Sequence, residues 1–88
     1  MAKYMCTHTI PPGKFSAEQL RQFAQAAQQD PGVKGYRSFA NLAEGKAICV
    51  MEAGSKDAVA AWFKKMNMPF DSITKVELEG DRGTVQSA

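Results

Sequence analysis

At 88 residues with a formal net charge of +2, the chain is sized for one domain and too weakly basic to mark a nucleic-acid partner. Its 44% hydrophobic and 23% charged residues are ordinary globular values and argue against disorder. No apolar run approaches the ~20 residues that span a bilayer, and the N-terminus lacks an apolar signal core, so a cytosolic, membrane-free protein is expected. A chain this short buries only about 60% of its unfolded surface, which makes a second subunit attractive.

Lys3 to Ile10 (KYMCTHTI) is rich in β-branched and aromatic residues and stops at Pro11-Pro12-Gly13, which predicts a strand and a turn. A first helix follows. Ser16 is its N-cap, Gln19 stands at the capping-box position, and Phe15 is placed to staple onto Leu20. Leu20, Phe23, Ala24 and Ala27 share one face at helical spacing, and Asp30-Pro31-Gly32 stops the run. Val33 to Ala40 reads as a second strand and Asn41 to Gly45 as a hairpin turn. Lys46 to Ala53 is the third strand, and its apolar run AICVM predicts cover on both faces.

Ser55 caps a second helix in which Val59, Trp62, Phe63 and Met66 repeat the spacing of the first. Asn67-Met68-Pro69 ends it, because a residue before proline avoids the α region. Ile73 to Glu79 alternates as a fourth strand, with Val76 and Leu78 taken to face the helices. Residues 81–88, DRGTVQSA, are expected as a polar tail, frayed or laid on a partner, after a domain spanning 1–80.

The order β-α-β-β-α-β fits a ferredoxin-like α+β fold, a four-stranded antiparallel sheet with two helices on one face. The opposite face is left bare, and the apolar third strand predicts that a second copy closes it. The two cysteines, Cys6 and Cys49, lie in strand-like runs without CxxC or zinc spacing and read as buried, reduced thiols.

Four residues are the candidate site. His8 is the only histidine; it is either a hydrogen-bonded structural residue or a metal ligand or base. Glu52 shares its parity with Ile48 and Val50, so a carboxylate stands in an apolar patch, as a ligand or base or in a salt bridge. In an antiparallel pairing, Glu52 falls near Tyr4 and away from His8, leaving a partner subunit to supply it. Tyr36, Arg37 and Phe39 could line a pocket, with core packing as the alternative for the aromatics. No GxGxxG, P-loop, GxSxG or HExxH occurs, which withdraws support from nucleotide, hydrolase and zincin chemistry.

The strings YMCTHTIPPG, GVKGYRSFANLAEGKAICVMEAGSKDAV and MNMPFDSITKVEL resemble a bacterial family of small ferredoxin-like proteins of unknown function with nickel-binding members. The resemblance spans residues 3–79. It implies a dimeric α+β barrel with two sheets face to face, and places His8 and Glu52 where nickel-binding members tend to carry His and Glu. The resulting expectation is a homodimer that binds a divalent metal such as nickel, or a small ligand, between sheet and helices, at His8, Tyr36, Arg37 and Glu52. The alternatives are a cofactor-independent monooxygenase or isomerase, by fold analogy alone, and a purely partner-binding domain.

Overall fold

A computed structural model describes Met1–Ala88. The chain runs β1 (Ala2–Thr9), α1 (Ala17–Gln29), β2 (Val33–Asn41), β3 (Lys46–Ala53), α2 (Lys56–Lys65), β4 (Ser72–Lys75), β5 (Leu78–Asp81) and β6 (Thr84–Ser87). The first four strands form one antiparallel sheet in the order β2-β3-β1-β4, and β5 pairs with β6 alone. This is the ferredoxin-like arrangement, with both helices on one face.

Strand parity puts Tyr4, Cys6 and His8 of β1 and Cys49, Met51 and Ala53 of β3 on the helix side, where all are buried. The helices answer with Phe23 and Ala27, and with Val59, Trp62 and Phe63. Phe23 meets Trp62 edge-on at 4.5 Å between ring centroids. Phe63 is fully buried between Trp62 and Phe70, and each such side chain contributes about 1.5–3 kcal/mol of apolar burial. Cys6 and Cys49 are register partners inside this layer. Burial pushes the Cys6 thiol up to about 12, with Cys49 adding to it, and the Cys49 thiol up to about 11.

Both helix starts follow the sequence. Ser16 and Gln19 close a capping box, and the Ser55 hydroxyl accepts from the Ala58 N–H. The end of α2 differs from the proline argument. Asn67 takes a left-handed conformation (φ 57°), its N–H donates to the Lys64 carbonyl, and the Met68 N–H reaches back to Phe63. That is a Schellman cap, and Pro69 follows an end already made. On α1, Ala24 is exposed and Ala26 is half-buried in its place, so the buried stripe is narrower than the spacing suggests.

Two departures shape the open face. The first is a β-bulge. Gly35 pairs with Met51 but Arg37 pairs with Val50, so Tyr36 is an extra residue in β2. The extra residue reverses the alternation, and Arg37 and Phe39 come to lie opposite Val50 and Ile48 on the side away from the helices. Gly35 sits 3.6 Å, measured from an ideal Cβ, from the Ala27 methyl, where α1 crosses close to the sheet.

The second departure corrects the fourth strand. Pairing with β1 stops at Lys75; the Val76 N–H makes one more bond, to the Lys3 carbonyl, and the chain then leaves the sheet. Ile73 is the residue buried under the helices, so Val76 and Leu78, of opposite parity, turn to the open face rather than the core. Residues after 80 fold back as β6, antiparallel to β5, in place of a frayed tail.

Candidate functional site

β1, β2 and the β5 hairpin enclose a cleft of about 320 Å3 on the open face. Its apolar wall is Met5, Phe39, Val50, Val76 and Leu78, and its polar groups are Lys3, Tyr36, Arg37 and Glu79. The β2 bulge aims Tyr36 and Arg37 at this space together, which a regular strand could not do with two consecutive residues. Lys3 arrives by simple alternation, since Tyr4 and Cys6 face the core.

Glu79 joins the polar groups. Its Oε1 accepts from Lys3 Nζ at 2.7 Å, and its Oε2 accepts from the Tyr36 hydroxyl. The Lys3 ammonium also lies 4.3 Å from the Tyr36 ring centroid, and the Arg37 guanidinium 5.9 Å from it. These bonds hold the Glu79 carboxyl below its usual value, the Lys3 bond first and the Tyr36 bond next. The hydrogen bond to Glu79 raises both Lys3 and Tyr36. Arg37 forms no ion pair with any carboxylate of the chain.

The other two candidates lie elsewhere. His8 faces the helices, not the cleft, and is 2% exposed. Its Nδ1 is 2.7 Å from the Pro69 carbonyl, its ring stands edge-on to Phe63 at 5.0 Å, and its Nε2 is buried with no partner. A carbonyl only accepts, so Nδ1 carries the proton of this bond. Glu52 is on the open face, flanked in register by Lys3 and Lys34, at the far end of β3 from Ala47, the partner of His8. His8 and Glu52 therefore stand on opposite faces and at opposite ends of the sheet.

Tyr36 and Arg37 thus share the open-face cleft, while His8 and Glu52 join neither it nor each other within one chain. A partner packed on the open face would bring its Glu52 no nearer to a histidine sealed under the helices. Nickel(II) takes several nitrogen, sulfur or oxygen donors, and no group of three or more His, Cys, Asp or Glu side chains converges in the chain. The residues of a single chain do not fit a closed nickel site.

Lys3 and Glu79 were not among the sequence candidates. Lys3 was legible from β1 parity. Glu79 was not, because its position depends on the chain leaving the sheet after Val76.

A family model described as nickel responsive protein SCO4226-like matches residues 4–76. The chain belongs to this family. Among solved structures it is similar to the crystal structure of SCO4226 from Streptomyces coelicolor A3(2), at 28% identity and a TM-score of 0.76, over 90% of this chain and 100% of that one. No curated protein matches. No helix is long and apolar enough to cross a membrane. The β5–β6 hairpin, with Glu79, lies beyond the residues the family model matches.

Proposed function

We propose that this chain is a small-ligand-binding protein of the nickel-responsive family, acting as a homodimer joined through the open sheet faces. The observation that carries the reading is the cleft: an apolar wall with four convergent polar groups, the form that small-molecule sites take. Dimerisation is supported by the apolar side chains of the cleft's wall and rim. Phe39 is 62% and Leu78 60% exposed, with Ile48 and Met5 nearby on the same face. A partner there would roof the cleft.

Nickel coordination is a second reading, favoured by the family's description and by one atom. His8 Nε2 is a buried imidazole nitrogen without a partner, and its Nδ1–H is fixed by a carbonyl, as a metal-ligating histidine's usually is.

One amide-resolved NMR titration tests both. Small amphipathic fragments are expected to perturb the amides of Met5, Tyr36, Val50, Val76 and Leu78; shifts confined to the helix face would overturn the cleft. Nickel chloride is expected to broaden resonances around His8 and Pro69, and broadening confined to the termini or surface carboxylates would remove His8 as a donor.

A further inference from the structure

Glu79 is the cleft's own carboxylate, and it occupies the two donors that converge there, Lys3 Nζ on one oxygen and the Tyr36 hydroxyl on the other. A side chain held by both of its oxygens displays which chemistry those donors accept. The second cation, Arg37, remains without a carboxylate. Glu79 is also weakly tethered. Past the Val76–Lys3 bond, the backbone bonds of 78–87 run only between β5 and β6 and from the Ala88 N–H to the Glu77 carbonyl. The hairpin can swing away without breaking a bond of the main sheet.

We propose that the cleft binds a small organic carboxylate with an apolar body, and that Glu79 is its built-in competitor. The incoming carboxylate takes the Lys3 and Tyr36 donors with Arg37 as its further cation, its body lies on Met5, Val50 and Val76, and Glu79 leaves with its hairpin. The inference rests on the cleft reading above and adds the chemical class of the ligand and the group it displaces. It does not concern nickel, whose one candidate donor is on the other face of the sheet.

The test is calorimetry with hydrocinnamate and its neutral analogue hydrocinnamamide, on the full chain and on E79Q and R37Q. Hydrocinnamate is expected to bind E79Q about three- to tenfold tighter than wild type, since a partly buried charge-assisted contact no longer has to be broken. R37Q is expected to weaken it by a similar factor, and the amide to bind neither protein measurably. Equal affinity of acid and amide leaves a cleft but overturns the anionic head group. Hydrocinnamate binding equally to wild type and E79Q overturns the competition. Silence of both compounds on every variant, each shown folded by circular dichroism, removes the inference and the cleft reading together.

Discussion

At the scale of single residues, the cleft is a set of coupled protonation states. Glu79 is depressed because its charged form receives bonds from Lys3 and Tyr36. A depressed carboxyl contributes stability that is complete above its unfolded value, about 4.3, and is lost as pH falls through the folded one. Lys3 and Tyr36 are raised, chiefly by their hydrogen bonds to Glu79, so their share is complete below unfolded values of about 10 and is lost as pH rises through the folded ones. The contact is therefore fullest between about pH 5 and 9. Melting-temperature profiles of wild type and E79Q are expected to be separated above about pH 5 and to converge as pH falls through the depressed Glu79 value. Parallel profiles would mean that Glu79 adds nothing to the fold. This residue was also the hardest to find from sequence: a glutamate in an alternating run has no mark that its strand ends four residues earlier. Tyr36 and Arg37 were found, but the parity that brings them together came from a bulge that no local pattern announces. His8 was singled out for being the only histidine, which says nothing about the face it occupies.

At the scale of elements, the sequence was most readable where the local code is strongest. Ser16 with Gln19, and Ser55, mark helix starts by side-chain bonds that need no tertiary context. The first three strands fall within two residues of their expected bounds, because apolar alternation and flanking Pro or Gly set them. The fourth was over-extended, since alternation continues through Glu79 while hydrogen bonding does not. The β2–β3 turn shows how a local signal acquires a distant role. Gly45 has φ +71°, it is buried, and its carbonyl accepts from the Ile10 N–H at 2.8 Å. A Cβ there would stand 2.2 Å from the Ile10 carbonyl oxygen. Gly45→Ala is expected to cost about 2–3 kcal/mol from left-handed strain and this clash, or roughly 10–20 °C in Tm. A loss within a degree or two in a thermal melt would mean that the turn relaxes without disturbing the end of β1.

At the scale of the whole molecule, one sheet face is filled and the other is not. Phe23, Trp62 and Phe63 close the helix side, while Phe39, Ile48 and Leu78 remain uncovered on the opposite one. The sequence predicted this asymmetry from the apolar run of β3, and the bulge adds Phe39 to it. Light scattering on the purified chain is expected to give twice the monomer mass, and Phe39→Glu to return the monomer by placing a charge where two faces would meet. A monomeric wild type would leave the exposed face needing a different cover.

Trp62 is the chain's only tryptophan, and it is packed between Phe23 and Phe63 in the layer between sheet and helices. The cleft, the hairpin and the uncovered face all lie on the far side of the sheet. Indole emission is thus an optical gauge of the core alone. It should stay constant while a ligand enters or the hairpin moves, and change only when the helices part from the strands. Tyr36, whose hydroxyl bonds Glu79, is the chromophore on the other side. Tyr4 shares the core with Trp62, so a tyrosine change at constant indole emission marks opening of the site, and a change in both marks loss of the fold.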